Sequence, residues 1–274
     1  MEWKKLKVKT GYHAIYENNF FDGIDDAYKN GFDFVQFDLG VHRFFLDNLS
    51  AADLNEIKKY AKNNNVEITF HSPGDNVSLF CDCLLIRKGI LDQIKLILEK
   101  ANILNARHIT FHAGVYSQFK KSGAEQDDSR LSYFEQILYE NLKFIIDNRG
   151  DILICIENYL FNQTIKKVIT RLIDEGNPLF LTLDTAKMYY RGTEINQSDY
   201  EFYLEYKDCI REMHIHDLNS EYGSHQIVGT GTVDFKLFQK FYNEKVYVNF
   251  EVRPVEAASI SKDSFIKIWS FNNE

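Results

Sequence analysis

Short apolar runs alternate with longer amphipathic segments along the whole chain. Eight of these runs are rich in β-branched or aromatic residues and predict strands at residues 7–13, 33–39, 66–71, 108–112, 152–157, 180–184, 212–216 and 246–251. The other segments repeat apolar residues at helical spacing and predict helices at residues 21–30, 51–64, 84–104, 131–147, 164–175, 198–207, 234–242 and 259–270. Successive strands begin about 25 to 45 residues apart, the span that a parallel crossover with its helix needs.

Eight strand–helix units favour an α/β fold, a single parallel eight-stranded (β/α)8 TIM barrel. The 274 residues suit this fold, for which about 250 residues are typical. An open doubly wound sheet would usually carry a glycine-rich phosphate-binding turn after its first strand, whereas residues 11–14 read GYHA. Because the composition does not shift along the chain and no linker interrupts it, we expect one domain over residues 1–274.

The composition is that of an ordinary globular protein, with 45% hydrophobic and 26% charged residues. No continuous apolar window predicts a membrane span, and the first residues lack the apolar centre of a signal peptide. We therefore expect a cytoplasmic protein whose four cysteines are reduced. Residues 115–128 form the longest irregular segment, which is compatible both with a plain surface loop and with a flap that closes over the site.

Side chains that can bind metals stand at the ends of six consecutive predicted strands, where barrel enzymes place their reacting groups. They are His71, His112, Glu157, Asp184, His214 and Glu251. Three carboxylates that converge at one barrel mouth repel each other unless a cation lies among them. Imidazole and carboxylate together suit zinc, manganese and similar divalent ions. The pattern therefore predicts a metal site, with a hydrogen-bonded structural network as the alternative.

Further polar residues near the strand ends are candidates for substrate contact. They are His13, Asp38, Asn158, Lys187, His216, His225 and Arg253. Lys187 and Arg253 are cations suited to a phosphate or carboxylate group on the substrate. His216 shares a strand face with the metal candidate of the seventh strand, and Asp217 is placed to orient it. His108, by contrast, is expected at the surface or in a loop.

Short motifs follow the strand ends in a definite order. They are HSP at 71–73, FHAG at 111–114, IEN at 156–158, LDT at 183–185, MHIHD at 213–217 and GTG at 229–231. Each motif is weak alone, but their order and spacing resemble the xylose-isomerase-like barrels. That group includes sugar isomerases, sugar epimerases and the endonuclease IV branch of abasic-site nucleases. The resemblance runs from about residue 11 to residue 254.

The resemblance implies ligands for one or two divalent ions. One ion would be held by four residues, Glu157, Asp184, His214 and Glu251. The second ion, present in the dinuclear members, would add His71 and His112 and share Glu157. Zinc, manganese and cobalt all suit such ligands. The third metal of the nuclease branch calls for a histidine and an aspartate at two positions where this chain has Lys187 and Gly223.

Two enzyme functions are compatible with this site. In a metal-dependent isomerase or epimerase of a sugar or sugar phosphate, Glu157 and Glu251 would transfer a proton as base and acid through an enediolate. In a phosphodiesterase of the AP-endonuclease type, Glu157 would bridge two metals. The net charge of −8 and the missing third-site ligands count against a nucleic-acid substrate. A noncatalytic metal-binding barrel is a third alternative, and the resemblance also implies a homo-oligomer.

Overall fold

Eight parallel strands close into a barrel in the computed structural model, which describes residues 8–74, 77–116, 128–190 and 194–270. In chain order they are β1 (Lys9–Ala14), β2 (Phe34–Asp38), β3 (Glu67–His71), β4 (His108–Phe111), β5 (Leu153–Glu157), β6 (Leu179–Asp184), β7 (Ile210–Ile215) and β8 (Tyr247–Phe250). Each strand pairs with the next and β8 pairs with β1, so the sheet has no open edge. This confirms the predicted parallel eight-stranded TIM barrel.

Helices follow the strands on the outside of the barrel, and the last of them follows β8. They are α1 (Phe20–Lys29), α2 (Ala51–Asn63), α3 (Leu84–Leu104), α4 (Asp128–Asp147), α5 (Gln163–Asp174), α6 (Gln197–Glu205) and α7 (Val255–Ser270), with short 3-10 turns at His42–Phe44, Leu46–Asn48 and Lys207–Cys209. Asn19, Asn162 and Asn196 each accept a hydrogen bond from a backbone N–H of the helix that follows. Ser50 and Asp53 form a complete capping box at the start of α2.

The segment between β7 and β8 forms a 3-10 helix over Phe235–Phe241 instead of the predicted helix over residues 234–242. Phe235, Phe238 and Phe241 recur at intervals of three and are all buried. A helix with three residues per turn places such a spacing on one face, so this geometry buries the three rings together. The other predicted helices are present, although α4 and α7 begin three to four residues earlier than expected.

Two short antiparallel ribbons extend the barrel after β6 and β7. Tyr189–Tyr190 pairs with Glu194–Ile195, and Asp217–Asn219 pairs with Gly223–Gln226. The sequence patterns did not predict them, because each of these strands has only two to four residues. Most of the candidate flap at 115–128 lies outside the described residues. Within the described part of the chain, no helix is both long enough and apolar enough to span a membrane.

A polar layer crosses the interior of the barrel below the mouth. Glu212 of β7 accepts hydrogen bonds from Gln36 of β2 and Thr110 of β4. His108 belongs to the same layer, because it is fully buried and its Nε2 lies 3.2 Å from Oε1 of Glu212. The expectation of a surface or loop position for His108 is therefore wrong, since the first residue of β4 faces inward.

Candidate metal centre

Four side chains with metal-binding atoms meet at the carboxyl ends of four strands. Glu157 ends β5, Asp184 ends β6, His214 lies in β7 and Glu251 directly follows β8. One such atom of each residue lies within 4.8 Å of the others, and all four residues are buried. The Nδ1 of His214 is 3.1 Å from Oε2 of Glu251 and 3.4 Å from Oε1 of Glu157. The barrel therefore brings together the four residues that the sequence predicts as ligands of one ion.

A second group shares the carboxylate of Glu157. Its Oε2 lies 2.7 Å from Nε2 of His112 and 3.4 Å from Nε2 of His71. Nδ1 of His71 donates to the backbone carbonyl of Ser72 at 2.9 Å, so Nε2 of the neutral ring carries a lone pair. The ring of His112 stacks on Tyr159 with their centroids 4.3 Å apart. These three donors could hold a second cation.

The ammonium of Lys187 contacts two of the site carboxylates. Its Nζ donates to Oε1 of Glu157 and lies 2.9 Å from Oδ2 of Asp184. Burial lowers the pKa of Lys187, but the charges of Asp184 and Glu157 raise it by more, so this pKa lies well above its ordinary value. Lys187, predicted as a substrate contact, is thus also a counter-charge within the site.

Neighbouring groups fix the orientation of Asp184. Its Oδ1 accepts from the backbone N–H groups of Ala186 and Lys187 at 2.9 and 3.0 Å, which leaves Oδ2 for contacts in the site. The side-chain amide of Asn158 donates to the carbonyl of Asp184 at 2.9 Å and accepts from its N–H at 2.7 Å. Asn158 therefore holds the end of β6, and its contact with substrate stays a prediction.

His216 lies beside Asp184, and the ring of His225 packs against it with the two centroids 4.5 Å apart. Nδ1 of His216 accepts a hydrogen bond from the backbone N–H of His225 at 3.0 Å. The proton of the neutral His216 ring is therefore on Nε2, which donates to Oδ2 of Asp184 at 3.0 Å. Nδ1 of His225 in turn donates to the backbone carbonyl of Glu251.

The carboxylate of Asp217 binds a backbone loop instead of the neighbouring imidazole of His216. Its carboxylate accepts from the backbone N–H groups of Gly229, Gly231 and Val233 at 2.9, 2.8 and 3.0 Å. A Cβ at Gly231 would lie only 2.3 Å from the carbonyl oxygen of Leu218. The loop therefore approaches the Leu218 backbone more closely than any residue with a side chain would allow. Asp217 therefore anchors the loop that contains the GTG motif.

Arg253, His13 and Asp38 flank Glu251 at the mouth. Nη2 of Arg253 donates to Nδ1 of His13 at 2.7 Å and to Oε1 of Glu251 at 3.2 Å. Nε2 of His13 faces Oδ2 of Asp38 at 3.5 Å. The structure thus brings these three predicted contact residues together and links them to one of the candidate ligands.

The donors at this centre fit a divalent ion. Burial raises the pKa of Glu157 and of Glu251, but the charges of Lys187 and nearby histidines lower both by more, so both pKa values lie well below their ordinary range. Among the described residues, Oε2 of Glu251 and both ring nitrogens of His214 are buried and make no hydrogen bond of good geometry, although carboxylate oxygens lie within 3.4 Å of both nitrogens. Unpaired buried donors and acceptors are costly, and anionic carboxylates with imidazole nitrogens match the ligand preference of zinc and manganese.

Glu212, which was not among the candidates predicted from the sequence, lies directly below the centre. This residue is fully buried, and its Oε2 is 3.2 Å from Nε2 of His214. The spacing of Glu212, His214 and His216 could have indicated this position, because residues two apart in a strand place their side chains on the same face.

A cavity of about 610 Å³ opens beside the centre. Asn158 and Lys187 line it together with the aromatic residues Tyr159, Phe161 and Tyr189. This size and this mixture of aromatic and polar groups suit a small-molecule ligand.

The family model described as xylose isomerase-like TIM barrel matches residues 24–262. An uncharacterized protein of Methanocaldococcus jannaschii is 26% identical over 180 residues, which cover 66% of this chain and 67% of that protein. A solved D-tagatose 3-epimerase-like protein is 17% identical, with a TM-score of 0.76 over 97% of this chain and 98% of its own.

Two further solved structures share the fold. The 3-keto-D-glucoside 4-epimerase YcjR from E. coli is 17% identical, with a TM-score of 0.69 over 96% of this chain and 99% of its own. The IolI protein with a bound zinc atom is 14% identical, with a TM-score of 0.71 over 96% of this chain and 99% of its own. Since the family match spans most of the sequence, the chain belongs to the xylose isomerase-like TIM barrel family.

Proposed function

We propose that this protein is a divalent-metal-dependent epimerase or isomerase of a sugar or sugar phosphate. The observation that carries the proposal is the pair of buried carboxylates Glu157 and Glu251, which lie 3.4 and 3.1 Å from Nδ1 of His214. Two anionic carboxylates at one small centre allow a proton to be removed by one group and returned by another. The similarity in fold to solved sugar epimerases supports this reading.

Four residues would hold the ion, Glu157, Asp184, His214 and Glu251. When bound, a divalent ion there would polarise neighbouring carbonyl and hydroxyl oxygens of a sugar and make the hydrogen on the adjacent carbon acidic. Zinc, manganese and cobalt all suit this donor set. The IolI structure, which shares the fold, contains a zinc atom, and this supports a bound metal here while leaving its identity open.

The two glutamates would move the proton. One carboxylate accepts the hydrogen from carbon, which leaves an enediolate. Return of that proton to the neighbouring carbon gives the isomer and restores the carboxylate. For the epimer, the other glutamate takes up a proton from water and delivers it to the opposite face of the carbon, and the first glutamate then releases its proton to water. The ammonium of Lys187, which contacts Glu157, would donate a hydrogen bond to the substrate oxygen that gains negative charge.

The cavity beside the centre would bind the sugar. The proposed contacts are those predicted from the sequence, His13, Asp38, Asn158, Lys187, His216, His225 and Arg253. Tyr159 and Tyr189 add aromatic surface. Lys187 and Arg253 each pair with a site carboxylate, which favours an uncharged sugar over a sugar phosphate.

One observation favours a second candidate, a dinuclear phosphodiesterase. His71, His112 and Glu157 form a second group of donors that could hold another cation next to the first. Paired metals at a shared carboxylate are typical of in-line phosphoryl hydrolysis. Lys187 counts against the trinuclear nuclease arrangement, because a charged ammonium stands where that resemblance calls for a ligand.

Hydrogen exchange on sugars separates the two candidates. The purified protein, with its metal content measured by mass spectrometry, is incubated in D2O with free and phosphorylated ketoses. Deuterium at the carbon next to the carbonyl, together with a new epimer or aldose in the NMR spectrum, is the result expected of an epimerase or isomerase. The proposal would be wrong if no sugar exchanged hydrogen while the protein cleaved a duplex with an abasic site.

A further inference from the structure

A buried carboxylate lies beneath the candidate metal centre on the same strand as its histidine. We propose that Glu212 is a positioning residue that keeps the proton of His214 on Nε2 and so leaves Nδ1 free to bind the metal. The inference rests on the metal centre of the proposed function. It assigns a role to a residue of the barrel interior that lies below the mouth and is fully buried.

His214 lies between anionic groups on both of its nitrogens. Nδ1 faces Glu157 and Glu251 at the mouth, at 3.4 and 3.1 Å, and Nε2 faces Oε2 of Glu212 at 3.2 Å. A neutral imidazole carries one proton, and only its other nitrogen can bind a metal. Carboxylates at Nδ1 alone would attract the proton to the nitrogen that must bind the ion. Glu212 supplies the competing acceptor on the interior side.

Neighbouring donors hold the Glu212 carboxylate in place. Nε2 of Gln36 donates to both of its oxygens at 2.8 and 2.9 Å, and the hydroxyl of Thr110 donates to Oε2 at 2.6 Å. Nδ2 of Asn249 donates to Oε1 of Gln36 at 2.7 Å, which fixes the Gln36 amide with its N–H group toward Glu212. The hydroxyls of Thr110 and Thr182 are 2.7 Å apart. Because the Thr110 hydroxyl donates its hydrogen to Glu212, the Thr182 hydroxyl is the donor in the hydrogen bond between the two threonines.

The contacts of Glu212 with two histidines use different oxygens. Oε1 lies 3.2 Å from Nε2 of His108 and Oε2 lies 3.2 Å from Nε2 of His214. Pairing with His108 alone would make Glu212 a structural residue, whereas the second contact connects it to the metal centre. Histidines that bind metals usually donate their other N–H to a carboxylate or carbonyl, and losing that partner typically lowers metal affinity about 10- to 100-fold.

Calorimetric titration of the metal-free chain with zinc tests this role. Glu212→Gln has nearly the same shape but no charge, and we expect it to bind zinc about 10- to 100-fold more weakly than the wild type. Thr182→Val is the matched control, because it removes a hydroxyl from the same buried network and keeps the contact between Glu212 and His214. Its affinity is expected to stay close to that of the wild type. Equal affinity in Glu212→Gln, or an equally large loss in Thr182→Val, would overturn the inference.

Nitrogen NMR of the imidazole rings gives a readout that a purely structural role would not change. In the zinc-loaded wild type, we expect His214 to carry its proton on Nε2, and we expect that proton to be strongly deshielded by the carboxylate. In Glu212→Gln the deshielding is expected to be lost. A wild-type His214 that carries its proton on Nδ1 would overturn the inference, even if Glu212→Gln did not fold.

The same titration distinguishes this inference from the proposed function. If the wild type bound no divalent ion, the metal centre would itself be wrong, and the inference would fall with it. If the wild type bound zinc tightly and Glu212→Gln bound it equally well, only the positioning role would be wrong. Tight binding by the wild type with weak binding by Glu212→Gln is the expected result.

Discussion

Nε2 of His216 lies 3.0 Å from Oδ2 of Asp184, and it is the ring nitrogen that carries the proton, because Nδ1 accepts a backbone hydrogen bond. His216 is thus a hydrogen-bond donor to a candidate ligand, although it stands only two residues from the candidate ligand His214. The two histidines share a strand face and differ in what surrounds them. His214 has carboxylates at both nitrogens. His216 has a carboxylate at Nε2, and its Nδ1 lies 3.0 Å from the backbone N–H of His225, closer than the backbone carbonyl of Asp217 at 3.4 Å.

Removing the donor on His216 should weaken metal binding without abolishing it. We expect His216→Leu to lower the affinity for zinc about 10- to 100-fold, because Asp184 loses the group that orients Oδ2. His216→Gln retains an N–H donor and should lose less. Calorimetric titration of the metal-free variants measures both effects. If His216→Leu bound zinc as tightly as the wild type, Asp184 would not depend on this contact.

Neutralising either proposed catalytic glutamate should lower turnover by orders of magnitude. We expect Glu157→Gln and Glu251→Gln each to lower kcat by about 10²- to 10⁴-fold at saturating metal, because an amide cannot accept the proton from carbon. Circular dichroism should show an intact barrel. Glu67→Gln is the matched control, since it removes a carboxylate at the opposite end of the barrel and should leave kcat unchanged. Near-wild-type turnover in either site variant would contradict the paired-carboxylate mechanism.

The regular alternation of strands and helices was sufficient to predict the barrel and its mouth. Each strand and each helix is recognisable from the spacing of its own apolar residues. The carboxyl ends of all parallel strands in a closed barrel lie at the same end. The sequence could therefore place Glu157, Asp184 and Glu251 at one location without any long-range contact being known. The resemblance of the motifs to a known family then indicated which histidines lie beside these three carboxylates.

The contacts among these residues could not be predicted from the sequence, because they depend on register and on short inserted elements. The ribbon after β7 brings the backbone N–H of His225 to His216, and no strand pattern indicated that ribbon. His108 was misplaced because periodicity alone does not say which face of a short strand points into the barrel. The fixed register of β4 beside β5 turns His108 inward, toward Glu212.

Lys187 should stabilise the metal-free protein and oppose metal binding. Its ammonium neutralises Glu157 and Asp184, which are both fully buried, while one fifth of its own side chain is exposed. We expect Lys187→Met to lower the free energy of unfolding of the metal-free protein by roughly 2–4 kcal/mol, because two buried charges lose their partner. The affinity for zinc should rise at least about tenfold, because a positive charge next to the ion is removed.

Urea unfolding in the presence of a chelator, together with zinc titration, measures the two effects of Lys187→Met. Added zinc should restore most of the lost stability of the variant, since a ligand that binds only the folded state stabilises it. Unchanged stability without metal, or weaker zinc binding, would show that Lys187 is not the counter-charge of this centre.

At the opposite end of the barrel, Glu67 should stabilise the fold in a pH-dependent way. Its carboxylate lies 2.7 Å from Nζ of Lys9, accepts from the hydroxyl of Tyr247 at 2.7 Å and accepts from Arg107 at 2.7 Å. Burial raises the pKa of Glu67, but these partners lower it by more, so the pKa of the folded state lies below the ordinary value of 4.5. The stabilisation is therefore complete above about pH 4.5 and declines as the pH falls below it, because the unfolded chain takes up the proton first.

Comparing the wild type with Glu67→Gln isolates this contribution. We expect the variant to be less stable by roughly 1–3 kcal/mol near pH 7, since a charged acceptor of several hydrogen bonds is lost. The difference should shrink as the pH is lowered below about 4.5, because the unfolded wild-type chain binds a proton at Glu67 first and the amide of the variant does not titrate. Urea unfolding of both metal-free proteins across this range measures it. A difference that stayed constant with pH would mean that the stability depends on the shape of the Glu67 side chain and not on its charge.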